Sequence, residues 1–195
     1  MTSRNSIQSA AGFTIFELLM VMTVVAIIAA VGLPSFRYVT ASNRISSEIN
    51  GLLADMRFAR TEAIKEGLPV TVCASADGAT CIGSTNAGSW TSGWIIFSDP
   101  SSNQTVPAGA VPLRIQPALN VSYNYSTDTL ADVTNSTLYA VTFNRQGFGS
   151  SLPTTAAAVN LALHSTPLNT AWTRCLSITP IGLLTIQKNG VGGCS

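Results

Sequence analysis

Gly12-Phe13-Thr14-Ile15-Phe16-Glu17-Leu18-Leu19-Met20 opens a run that continues without a break to Leu33-Pro34. Between Phe13 and Leu33 the only charge is Glu17, and the other residues are apolar except Thr14, Thr23 and Gly32. As a helix rising ~1.5 Å per residue, the run reaches ~30 Å, the thickness of a bilayer core. A carboxylate inside such a span costs at least ~2.5 kcal/mol even on lenient insertion scales, so Glu17 marks a function and calls for a cationic partner. A secretory signal is a poorer account, because it is cut at a small-residue site after its apolar region, whereas this run leads into an amphipathic helix. A plain membrane anchor has no use for Glu17. Arg4 lies before the span and Arg37 and Arg44 soon after it, so charge bias leaves the orientation open.

Upstream, residues 1–12 (MTSRNSIQSAAG) are polar and lack an acid. Downstream, helical character persists past Pro34, whose missing donor and ring predict a bend at Gly32-Leu33-Pro34. Ile45, Ile49, Leu52, Leu53, Met56, Ala59, Ala63 and Ile64 recur in steps of three and four and define one face. That face suits packing on the chain's own sheet better than binding a partner. Gly67-Leu68-Pro69 stops the helix at about Glu66, a glycine cap followed by proline.

Beyond Gly67 the apolar period becomes two. Strands are predicted at residues 70–73, 93–97, 111–115, 121–125, 138–143, 159–163, 175–178 and 183–186, bounded by Gly, Pro, Asn, Asp and Ser. Residues 98–110, 126–137 and 150–157 read as polar loops. The fold class is therefore α+β, a long N-terminal helix packed on a β-rich head. Residues 13–34 are its transmembrane half, 35–66 its amphipathic half and 67–195 the head.

Charged residues make up only 10% of the 195, which suits an exported β-rich domain and argues against a polyanion-binding surface built on bulk charge. The four cysteines, Cys73, Cys81, Cys175 and Cys194, all follow the span, read as disulfides and place the head in an oxidising compartment. Three connectivities are possible. Loop closure favours near neighbours and predicts Cys73–Cys81 with Cys175–Cys194. Their spacings are too wide for a zinc ribbon or finger, so no metal is expected.

Gly12-Phe13-Thr14-Ile15-Phe16-Glu17-Leu18 resembles the type III signal of type IV prepilins. The resemblance narrows with Met56-Arg57-Phe58-Ala59-Arg60-Thr61-Glu62-Ala63, Trp90-Thr91-Ser92-Gly93-Trp94-Ile95-Ile96-Phe97, Phe143-Asn144-Arg145-Gln146-Gly147 and Cys175-Leu176-Ser177-Ile178-Thr179-Pro180-Ile181-Gly182. Together these are similar to the GspH/FimT family of minor pilins and type II secretion pseudopilins, over nearly the whole mature chain. The Leu33-Pro34-Ser35-Phe36 ending leans toward the pilus branch. The resemblance implies a β-sandwich head and a leader, residues 1–12, removed by prepilin peptidase between Gly12 and Phe13. It also implies N-methylation of Phe13 and a role for Glu17 as the assembly carboxylate, paired with the amine of a neighbouring subunit. Implied partners are other minor and major pilins. The implied location is the inner membrane, single-pass with the head in the periplasm, and then the pilus fibre at the cell surface. Cleavage would remove Arg4 alone among the charged residues, leaving nine basic and nine acidic side chains.

No catalytic constellation or cofactor motif is present, and His164, the single histidine, lies in an alternating strand-like run. Trp90 and Trp94 fit core or strand-edge packing better than an aromatic platform. DNA capture is the sharpest alternative, because some family members carry a Gly-Arg-x-Arg element that contacts DNA. Here Gly182 is followed by Leu183-Leu184-Thr185, and both arginines are missing. From Gly67 onward the cations are Arg114, Arg145, Arg174 and Lys188, matched by Asp77, Asp99, Asp128 and Asp132. Tight binders neutralise ~6–10 phosphates, so this balance disfavours DNA.

Overall fold

The computed structural model describes residues 12–83, 89–119, 129–132, 138–150, 158–164, 169–192 and 194. It divides into two compact units, Met1–Thr40 and Ala41–Ser195. Helix α1, Ile15–Glu66, is 52 residues long and contributes to both. The helical assignment runs unbroken through Gly32 and Pro34. In the first unit the apolar side chains from Phe13 to Val31 lie exposed, and Ile15–Gly32 is long and apolar enough to cross a membrane. One of the polar side chains inside this stretch is locally satisfied. The Thr23 hydroxyl donates to the Met20 carbonyl at 2.8 Å, the kind of local bond that a hydroxyl would need in hydrocarbon.

In the second unit, α1 buries the stripe Ile45, Ile49, Leu52, Leu53, Met56, Ala59 and Ala63. Ile64, expected on the same face, is instead 52% exposed. At about 100° per residue it turns away from Ala63 to the margin of the stripe. The helix ends at Glu66, and Gly67 takes up φ +69 while its N–H bonds the Ala63 carbonyl. A left-handed residue there redirects the chain without a Cβ penalty.

Eight strands follow among the described residues: β1 Val70–Ala74, β2 Gly93–Ser98, β3 Arg114–Pro117, β4 Thr129–Asp132, β5 Ala140–Phe143, β6 Val159–His164, β7 Arg174–Ile178 and β8 Leu184–Lys188. They form two four-stranded antiparallel sheets, ordered β3-β2-β1-β5 and β4-β6-β7-β8. Alternation along the strands sends Val70, Val72, Ala74, Trp94, Ile96, Val141 and Phe143 of the first sheet into the core cluster that holds the α1 stripe. Val159, Leu161, Leu163, Leu176, Ile178 and Leu184 of the second sheet join the same cluster. Full burial of each large side chain contributes ~1.5–3 kcal/mol. Ala74 lies opposite Trp94 in the β1–β2 register, so a small residue makes room for a large one.

Two expectations need correction. Residues 126–137 are not wholly loop, because β4 lies within them and pairs with β6 from Thr129↔His164 to Asp132↔Leu161. The strand expected at 111–115 is β3, displaced to Arg114–Pro117. Pro112 has no N–H for the ladder, and regular pairing begins only after Leu113 donates to the Ile96 carbonyl. The strand expected at 121–125 lies outside the described residues.

Candidate functional site

Gly12, Phe13 and Thr14 precede the helix, which begins at Ile15. The Thr14 hydroxyl accepts the Glu17 N–H at 3.2 Å, and the Thr14 carbonyl accepts the Leu18 N–H at 3.2 Å. Thr14 is thus the N-cap, satisfying one of the donors that a helix start leaves without partners. Glu17 falls in the first turn, where a negative charge also favours the helix dipole. Its carboxylate forms no ion pair or hydrogen bond with a described residue. The cap escaped the sequence reading, although Thr14-x-x-Glu17 is the spacing of a capping box and could have revealed it.

At Gly12 an added Cβ would meet nothing within 4 Å among the described residues, and its φ is not left-handed. Among the described residues no packing contact there demands glycine. Phe13 is 80% exposed. The segment therefore presents a small residue and an exposed aromatic ahead of an apolar helix, and in the first turn of that helix a carboxylate without a partner among the described residues.

Gly182 behaves in the opposite way. It sits at φ +78 in the β7–β8 turn, and a Cβ there would collide with the Gly147 carbonyl oxygen. Arg60 of α1 donates Nε–H to that same carbonyl at 3.0 Å, while the Gly149 N–H donates to the Pro180 carbonyl at 2.9 Å. The glycine thus closes a junction between α1, the turn after β5 and the β7–β8 turn. Leu183 and Thr185, where the DNA-binding members have arginine, are exposed. Among the four head cations, Arg114 is engaged by Asp55 at 3.0 Å and Arg174 donates to the Ala171 and Thr173 carbonyls.

Trp90 and Trp94 are buried core residues. The Trp90 indole donates to the Leu138 carbonyl at 3.1 Å, and the Trp94 indole to Asp55 Oδ2 at 2.9 Å. Asp55 also receives Arg114, whose guanidinium lies 3.9 Å over the Phe58 ring, so one carboxylate ties α1 to two strands of the first sheet. His164 Nδ1 lies 3.4 Å from Thr173 Oγ1, and burial pushes its pKa below 6.5. Among the described residues no group of three His, Cys, Asp or Glu side chains is placed to hold a metal. A depression of about 210 Å³ over Cys81, Val106 and Tyr139 has no acidic, basic or histidine side chain in its lining.

The cysteines are joined as Cys73–Cys81 and Cys175–Cys194. Both bridges lie outside the main core. Cys73 clusters with Ile95, Phe97 and Ala140 on the far face of the first sheet, and Cys175 and Cys194 cluster with Ala162 on the far face of the second. Inside the first loop, Asp77 accepts the Thr80 N–H and hydroxyl, the Ala79 N–H and the Ser75 hydroxyl. These bonds, Thr80's foremost, hold its carboxyl well below the usual carboxylate range.

No curated protein matches the chain by sequence. Among solved structures, the type IV minor pilin FimU of Pseudomonas aeruginosa matches in one crystal form with a TM-score of 0.54 at 20% identity, covering 75% of this chain and 90% of that one. A second crystal form of FimU gives a TM-score of 0.49 at 19% identity, covering 77% and 92%. The first likeness establishes a pilin-like α+β fold. The family described as type II transport protein GspH matches residues 48–182, from the buried half of α1 to the junction glycine, and the chain belongs to that family of pilin-like fibre subunits.

Proposed function

We propose that the chain is a minor pilin of a type IV pilus, a structural subunit that takes part in pilus assembly or its priming and carries out no catalysis of its own. The observation that carries this reading is the segment Gly12–Glu17. It joins a glycine unexplained by the fold to an exposed apolar helix with a carboxylate that lacks a partner among the described residues. A glycine not required internally is explained by an enzyme that reads it, and an unpaired acid in a membrane-length helix by a partner that brings the opposite charge. Prepilin peptidase removes residues 1–12 and Phe13 is N-methylated. Residues 13–34 hold the subunit in the inner membrane, residues 35–66 continue into the head, and residues 67–195 form the periplasmic head, later carried on the fibre. Glu17 pairs with the Phe13 amine of another minor or major pilin. Gly32 and Pro34 supply a weak point in the helix. DNA is not a partner in this reading, because Gly182 serves packing and lacks the following arginines.

Mass spectrometry of the protein from pilus-expressing cells tests the reading. An N-methylated Phe13 terminus is expected in the wild type, with the leader retained in Gly12→Val; a mature chain starting elsewhere would refute it. Glu17→Gln and Glu17→Leu should insert and be processed normally but be depleted from sheared pili.

The family's own description favours a second reading, a type II secretion pseudopilin. Deleting the chain separates the two: loss of pili with secretion intact supports the first, and the converse supports the second.

A further inference from the structure

We infer that Thr14 is the positioning residue for cleavage of the Gly12–Phe13 bond: by capping α1 it keeps that bond on the non-helical side of the helix boundary, where a peptidase can bind it as extended chain. The inference rests on the processing reading above. Gly12 and Phe13 carry no helical assignment, and Thr14 marks the boundary with two bonds, one from its hydroxyl and one from its carbonyl. Hydrolysis needs water to attack the Gly12 carbonyl carbon, with the C–N bond breaking and the nitrogen leaving protonated as the Phe13 ammonium. Inside a helix the Gly12 carbonyl would instead be committed to the N–H four residues on, with the neighbouring turn crowding its face.

What competes with the cap is written just upstream. Ser9 is a good N-cap and Ala10-Ala11 are strong helix formers, so a helix with no stop at Thr14 has a favourable place to restart beyond the scissile bond. The pressure to do so is greatest next to hydrocarbon, where an N–H without an acceptor cannot turn to water. Thr14 lowers that pressure by accepting the Glu17 N–H itself. The Glu17 carboxylate is left out of the capping and stays available for its pairing in the fibre.

The test uses the full-length chain in cells with their own processing machinery, following leader removal over time by mass spectrometry. Thr14→Val keeps the side-chain shape without the capping hydroxyl and should slow cleavage by about two- to thirty-fold, the range a lost cap spans. Thr14→Ser retains a capping oxygen and should be cut at the wild-type rate. Both should reach the membrane and form the Cys73–Cys81 and Cys175–Cys194 bridges as the wild type does, which a general folding defect would not allow. Wild-type cleavage of Thr14→Val, or equal slowing of Thr14→Ser, overturns the role of the cap while wild-type cutting after Gly12 leaves the processing reading standing. A wild-type chain left uncut at Gly12 overturns both.

Discussion

At Gly182 the backbone is left-handed and a Cβ would strike the Gly147 carbonyl, whereas at Gly67 the backbone is equally left-handed but the space is open. Gly67→Ala should therefore cost only the backbone strain, ~1 kcal/mol, while Gly182→Ala adds a collision with main chain that cannot step aside, ~3 kcal/mol or more in all. Denaturant titration of the two variants measures the gap. Asp77 gives a pH-dependent counterpart. Its carboxyl is held below the ordinary value of 3.8, so its contribution is fully present above that value and is lost as pH falls toward the folded one. Asp77→Asn should be less stable than the wild type at pH 6, with the difference shrinking through acid titration below about pH 4. His164 works in the same direction at higher pH. Burial favours its neutral form, so stability falls as pH drops through about 6.5, where the unfolded chain takes up the proton first.

The α1 stripe sets the energetics of the second unit. Met56 is fully buried in the main core, and Met56→Ala should lower stability by ~2–5 kcal/mol, whereas Ile64→Ala, at the exposed margin, should change it by ~1 kcal/mol or less. Urea denaturation of the two variants checks this contrast. The stripe was legible because seven apolar residues at helical spacing leave little choice of face, and the glycine–proline stop because only glycine fits the left-handed exit. Strand β4 was not legible: Thr129-Leu130-Ala131-Asp132 has one large apolar residue and pairs only with β6, so neighbours rather than its own pattern make it a strand. At the N-terminus the Gly12–Glu17 motif was legible as chemistry, while the cap was less so, because it is made to the main-chain N–H of Glu17 and not to its side chain. The Asp55–Trp94–Arg114 tie was equally hidden, since three residues spread over sixty positions meet only when α1 lies against the first sheet.

Across the whole molecule charge is sparse and balanced in sign, and the isolated head should bind DNA no tighter than the ~10⁻⁴–10⁻⁶ M typical of non-specific contact at physiological salt. Fluorescence anisotropy checks this, and sub-micromolar affinity would contradict it. Replacing Leu183 and Thr185 by arginine should raise the affinity, because both positions are exposed beside the Gly182 turn. Replacing Cys175 and Cys194 together by alanine should cost ~2–5 kcal/mol by loosening the closing tail, measured as a lower thermal midpoint with unfolding still cooperative. Cooperativity should survive because both bridges sit on the outward faces of their sheets, while the apolar centre shared by α1 and the two sheets contains no cysteine. Timing follows from that separation. The shared centre can close around α1 without any bridge, whereas Cys73, Cys175 and Cys194 are themselves buried, so an oxidant must reach each pair while its own outer cluster is still open. Oxidation is thus a separate event on the outer side of each sheet, sealed in when that side is covered.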